Sequence, residues 1–218
     1  MKRVVICSGG PKEEVVDFKQ LPLLKDEIVF IGADRGAMHL IENGIIPNEI
    51  IGDFDSLLDD EFHYLEQKVG KITKLQEEKD ETDTHIAVIQ ALTYKPDQII
   101  LTAVTGGRLD HYEAVLHDMF QFQMSNPDVI FSIQNKQNII RFLLPGTHLI
   151  ESNHMYKYIS FFSFGETVEA VWLRGFLYEV TNENIAMGNS KFTSNEVIGQ
   201  TSTISFTKGI CLMIRSSD

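Results

Sequence analysis

The sequence predicts an α/β domain followed by an all-β domain, and three observations carry that expectation. Through about residue 134, short β-branched runs alternate with polar turns and amphipathic helical segments, the pattern of a parallel sheet covered by helices. From about Asn135 helical periodicity disappears, and apolar strands are broken by turns at Pro145 and Gly146, Gly165 and Glu166, and Gly188 and Asn189. At 218 residues and 43% hydrophobic content, the chain can fill two modest cores. The boundary is expected between Gln134 and Asn138, giving a Rossmann-like parallel-sheet domain over residues 1–136 and an antiparallel β-sandwich over 137–218.

Val4 to Cys7 reads as a buried strand ending in the tight loop Ser8, Gly9, Gly10 and Pro11. Glu13 to Leu24 is expected as a short helix broken near Pro22. Glu27 to Ile31 is a second strand, and Gly32 to Gly36 turn into a helix that carries Ala37, Leu40 and Ile41 on one face and stops at Asn43 and Gly44. After Pro47 the run Glu49 to Ile51 leads into IGDFDS. Asp59 to Lys68 has Phe62, Leu65 and Val69 at helical spacing, and Lys71 to Leu75 is a short strand. An acidic turn over 77–83 opens a helix expected to bury Ile86, Ala87 and Ile89. Gln98 to Val104 is the most strand-like run of the chain; a helix over Leu109 to Met124 and a strand over Val129 to Ile133 follow. In the second domain, strands are expected at Tyr158 to Phe164, Glu169 to Leu173, Phe176 to Val180, Thr201 to Phe206 and Ile210 to Ile214.

Bulk chemistry narrows the function. A net charge of -12, with no run of Lys and Arg, argues against a nucleic-acid partner. Cys7 and Cys211 form no CxxC pair and no Cys/His ligand spacing, so both are expected as buried reduced thiols. The first apolar run, Val4 to Cys7, is too short for a signal-peptide core, and no stretch approaches a membrane span. A soluble, cytoplasmic setting without membrane contact is the expectation.

In a parallel sheet the turns leaving the carboxyl ends of the strands share one edge, where ligands bind. The chemically unusual residues of this chain fall in those turns: Ser8 and Gly9; Asp34 and Arg35; Asp53, Asp55 and Ser56; Lys79, Asp80, Thr82 and Asp83; and Gly107, Arg108, Asp110 and His111. Together they supply carboxylates for a hard cation, glycines for close backbone approach and cations for phosphate oxygens. Asp53, Asp55 and Asp83 suit Mg2+, which takes oxygen ligands and shares them with phosphate. Arg108 opens a helix whose first amides attract phosphate while the guanidinium clamps it. No HExxH spacing, GxxxxGK[ST] loop, GxGxxG loop or GxSxG turn is present.

The combination of GADRGA at 32–37, IGDFDS at 51–56, EKDETD at 78–83, GGRLDH at 106–111 and TSNE at 193–196 resembles the thiamine pyrophosphokinase family in order and spacing over nearly the whole chain. Glu78 stands where many members carry Asp. The resemblance implies transfer of pyrophosphate from ATP to the hydroxyethyl group of thiamine, giving AMP and thiamine diphosphate, with magnesium as cofactor. It further implies that Asp53, Asp55 and Asp83 hold the metal-phosphate centre, one carboxylate accepting the hydroxyl proton. Tyr178, Ser194 and Asn195 fall where the family contacts thiamine, and a homodimer with composite sites is implied. An Asp-dependent phosphohydrolase and a noncatalytic nucleotide- or thiamine-binding module are the competing classes.

Overall fold

The structure, a computed structural model, describes residues 1–21, 27–76 and 81–218. The chain forms two compact units, Met1–Lys136 and Gln137–Asp218.

In the first unit the elements run β1 (Lys2–Cys7), β2 (Glu27–Ala33), α1 (Gly36–Glu42), β3 (Glu49–Gly52), α2 (Asp59–Lys68), β4 (Ile72–Lys74), α3 (Asp83–Thr93), β5 (Gln98–Thr102), α4 (Leu109–Ser125) and β6 (Ile130–Gln134). The strands lie in the order β6-β5-β1-β2-β3-β4 and every pairing among them is parallel. The central strands β1 and β5 are apolar runs covered on both faces, which is why they read as continuous rather than alternating. One cluster gathers Val5, Leu40 and Ile100 with Val15, Val16 and Phe18; another gathers Ala37, Ile50, Phe54, Leu65 and Val69.

Two expectations for this unit are corrected. The helix anticipated over Glu13 to Leu24 is replaced, within the described residues, by two single 3-10 turns at Lys12–Glu14 and Phe18–Gln20; residues 22–26 lie outside them. The amide of Val16 donates to Thr102 Oγ1 at 2.8 Å instead of to a helical carbonyl, and Asp17 caps the second turn by accepting from Lys19 N at 3.0 Å. In α3 the buried face is Ala87, Val88 and Ala91, whereas Ile89 is 49% exposed. Small side chains let α3 lie close over β1, β2 and β3.

The second unit holds β7 (Asn138–Leu143), β8 (Gly146–Glu151), β9 (Tyr158–Ser163), β10 (Val168–Arg174), β11 (Val180–Ile185), β12 (Asn195–Glu196), β13 (Thr201–Phe206) and β14 (Cys211–Ser216). They make two antiparallel sheets, β12-β9-β14-β7 and β11-β10-β13-β8. Residues of both sheets share one core, in which Phe161 meets Phe176 edge to face at 5.7 Å. The unit is therefore a β-sandwich. Phe176 to Val180 is not the expected strand: Phe176 makes one bridge to Val197, and the strand begins at Val180. The Glu179 carboxylate accepts from Gly175 N at 2.8 Å, and Asn195 binds the backbone of Tyr178, so the intervening residues form a turn.

Candidate active site

Strand order reverses at β1, with β2 on one side and β5 on the other. Beyond the carboxyl ends of these strands a cleft of about 860 Å³ opens. It is lined by Ser8 and Gly9 after β1, Asp34 and Arg35 after β2, Ser56, Thr82 and Asp83, and Gly107, Arg108 and His111 after β5. Three walls are stapled by side chains. Ser8 Oγ and Thr84 Oγ1 are 2.9 Å apart. Nε2 of the buried His39 is 2.9 Å from Gly10 O. Oε2 of Glu14 accepts from Thr105 Oγ1 at 2.5 Å and Asn135 Nδ2 at 2.6 Å, steadying the turn where Gly106 and Gly107 have φ of 76° and 65°. Sequence reasoning missed these staples; nothing marks His39 apart from the other six histidines, and Glu14 meets partners 91 and 121 residues away.

Asp34, Asp53 and Asp83 each bring a carboxylate oxygen within 4.8 Å of the others. The turn holding Asp34 is left-handed, with φ 49°; its amide donates to Ile51 O at 2.9 Å, and its Oδ1 accepts from Phe54 N at 3.4 Å. A Cβ on Gly52 would sit 2.0 Å from that Oδ1, so glycine there makes the approach of β2 and β3 loops feasible. Asp53 Oδ1 accepts from Asp55 N at 3.1 Å, an Asx turn that fixes its orientation. Asp83 is the first residue of α3, and Thr82 caps that helix by accepting from His85 N at 3.1 Å. The helix start therefore favours the Asp83 charge.

Burial pushes the Asp34 carboxyl up to about 8; its hydrogen bond with Asp83 and the negative charges of Asp83 and Asp53 act in the same direction. Crowded carboxylates of this kind are relieved by a hard dication with oxygen ligands, so this donor set fits magnesium. The trio differs from the one named from sequence by including Asp34. Asp55 lies exposed on the same turn, outside the trio, while Lys79 and Asp80 fall outside the described residues.

The cations of the cleft are engaged. Arg35 donates to both carboxylate oxygens of Glu61 at 3.2 Å and to Ser56 O at 3.1 Å. Arg108 grips Asp110 through Nε at 3.1 Å and an outer nitrogen at 2.6 Å, and the guanidinium holds the Asp110 carboxyl down at about 2. Both partners of this second pair are exposed, so exchanging Asp110 for a phosphate costs little. Arg108 gives the start of α4 no side-chain cap, and the His111 amide faces the exposed Asp110 carboxylate, the position a phosphate would take.

In the second unit Tyr178 is 64% exposed, flanked by the half-exposed Leu177. Asn195 is buried; its Oδ1 accepts from Tyr178 N at 2.9 Å and its Nδ2 donates to Tyr178 O at 2.8 Å. The exposed Ser194 takes a left-handed φ of 54° and donates its amide to Ser160 Oγ at 3.0 Å. Asn195 thus positions Tyr178 beside Ser194, with its own amide group spent on the Tyr178 backbone. Among the described residues, no helix is long and apolar enough to cross a membrane.

Residues 21–131 match the family model described as thiamin pyrophosphokinase, catalytic domain, and residues 147–211 match the thiamin pyrophosphokinase vitamin B1 binding domain. The thiamine pyrophosphokinase of Bacillus subtilis is 37% identical over 218 residues, the whole of both chains. The crystal structure of the Bacillus subtilis thiamine pyrophosphokinase superposes with a TM-score of 0.91 at 34% identity, covering both chains completely. That of the Geobacillus thermodenitrificans thiamin pyrophosphokinase gives 0.88 at 35% identity, covering all of this chain and 98% of the other. With both domain models matched in order and full-length relatives above 30% identity, the chain belongs to the thiamine pyrophosphokinase family.

Proposed function

We propose that this enzyme transfers the terminal pyrophosphate of ATP to the hydroxyethyl group of thiamine, releasing AMP and thiamine diphosphate. The observation that carries the reading is the cluster of Asp34, Asp53 and Asp83 beside a cleft that also holds the uncapped start of α4. The two matched domain families, one catalytic and one for vitamin B1, support the pair of substrates.

Magnesium at the cluster supplies charge neutralisation and phosphate orientation. Asp34, Asp53 and Asp83 would hold it, with Asp55 exposed on the turn beside Asp53 and outside that trio. The first amides of α4 and the guanidinium of Arg108, released from Asp110, receive phosphate oxygens. The thiamine hydroxyl oxygen forms a bond to the β-phosphorus as the bond to the AMP oxygen breaks, and one carboxylate of the cluster accepts the hydroxyl proton. No covalent enzyme intermediate is required. Tyr178 offers its ring face to the cationic aromatic acceptor, with Ser194 beside it. A cytoplasmic homodimer with sites shared between protomers completes the proposal.

Product analysis tests it. Thiamine with magnesium ATP is expected to yield AMP and thiamine diphosphate in equal amounts, and EDTA to abolish both. ADP as product would indicate an ordinary kinase, inorganic phosphate a hydrolase, and binding without turnover a noncatalytic module; any of these overturns the proposal.

A further inference from the structure

The second unit holds two arginines, the half-buried Arg141 and the buried Arg215, that the proposed reaction does not use. Arg141 on β7 and Arg215 on β14 point to the same face of their sheet as Leu143, Cys211 and Met213, which belong to the sandwich core. Arg141 pairs across the strands with Met213, and Arg215 with Ile139 and, on its other side, the fully buried Ile159. The two arginines are thus diagonal neighbours on one face, with Cβ atoms roughly 7 Å apart, so both guanidiniums can reach one small group.

Their hydrogen bonding is incomplete. Arg215 is 9% exposed and donates one outer nitrogen to Glu151 O, at the end of β8 in the facing sheet, at 2.8 Å. The buried Nε atoms of both Arg141 and Arg215 have no partner among the described residues. Neither guanidinium has an ion pair within 4.0 Å there; the Glu151 carboxylate acts on Arg215 only from farther away. Burial holds both below the usual arginine range, and the like charge of Arg215 lowers Arg141 further. Two adjacent cations with buried, unpartnered Nε groups and no close counterion among the described residues are costly, and such groups call for a missing partner. The planar forks of arginine match a tetrahedral oxyanion through paired N–H donors.

We propose that Arg141 and Arg215 form a binding site for a small oxyanion of the phosphate class on the sandwich. Titrating inorganic phosphate by calorimetry at constant ionic strength tests this on the full chain. The wild type is expected to take one more phosphate than Arg141→Met, and Arg141→Lys to bind at least tenfold more weakly than wild type at that site. Turnover of Arg141→Met is expected to stay at the wild-type level, since Arg141 is not among the residues that line the cleft or that hold Tyr178 and Ser194. Identical phosphate stoichiometry and affinity in wild type and Arg141→Met would overturn the proposal. Wild-type crystals soaked in tungstate give an independent readout: an anomalous peak within hydrogen-bond distance of both guanidiniums supports it, and an empty position overturns it.

Discussion

At the scale of single residues, the site turns on how Asp34 is presented. Its left-handed φ swings the carboxylate from the end of β2 towards the β3 turn, and Gly52 leaves the space it enters. We expect Asp34→Asn to lower kcat by about 100-fold, comparable with Asp53→Asn and Asp83→Asn, because each removes a carboxylate that a bound dication would hold ionised and use as an oxygen ligand. Steady-state rates across a magnesium titration check this, and wild-type turnover in Asp34→Asn would remove the residue from the metal set. That Asp53 and Asp83 sit at the carboxyl edge of the sheet was legible because acidic residues at strand and helix boundaries follow chemical habit. The place of Asp34 in the carboxylate cluster was not, since it depends on a backbone angle, and the Arg35–Glu61 pair was hidden by a separation of 26 positions. The thiols give a second prediction. Burial pushes Cys7 and Cys211 up to about 12, so both stay protonated as pH rises through the physiological range and ionise only near that value. Thiol reagents at pH 8 should then find no reactive cysteine in the native protein and two in denaturant. Rapid labelling before unfolding would contradict this.

At the scale of elements, the carboxylate cluster is held from behind by a polar knot at the other end of β3. Glu49 is fully buried; its Oε2 accepts from Lys71 Nζ at 2.8 Å, Gln90 Nε2 at 3.0 Å and Tyr94 OH at 3.0 Å, and its Oε1 accepts from Thr73 Oγ1 at 3.2 Å. These partners belong to β4 and the residue before it, and to α3 and its end, so one side chain binds together the strand that leads to Asp53 and the helix that starts at Asp83. Glu49→Ala strands the donors of the knot and is expected to cost about 3 kcal/mol in the unfolding of the first unit. Urea denaturation followed by circular dichroism measures it, and a change below about 1 kcal/mol would show that water replaces the carboxylate. The strands around this knot were readable because apolar β-branched runs between turn residues have few alternatives. The face of α3 was misread for a definite reason: its core side is lined by alanines, which a search for large apolar residues ranks below the exposed Ile89. The short, partly polar β7, β8 and β12 escaped notice because their strand state is set by pairing across the sandwich rather than by local pattern.

At the scale of the whole molecule, the carboxylate cluster belongs to the first unit and the exposed Tyr178 and Ser194 to the second, and the proposed homodimer joins the two halves from different protomers. The half-exposed Leu177 and Ile198, on segments paired next to Tyr178, give this part of the sandwich an apolar surface suited to contact with another protein surface. Complementation separates composite sites from sites built within one chain. Asp83→Asn should inactivate the phosphate half, and Tyr178→Ala combined with Ser194→Ala the acceptor half, each homodimer being nearly dead. Refolded together in equal amounts, half of the dimers are mixed, and in each mixed dimer one site pairs both wild-type halves while the other collects both lesions. Activity should therefore return to about one quarter of the wild-type level if exchange is random. Sites built within a single chain cannot regain activity by mixing, so a mixture as inactive as its components, or a monomer by light scattering, would rule out the composite arrangement.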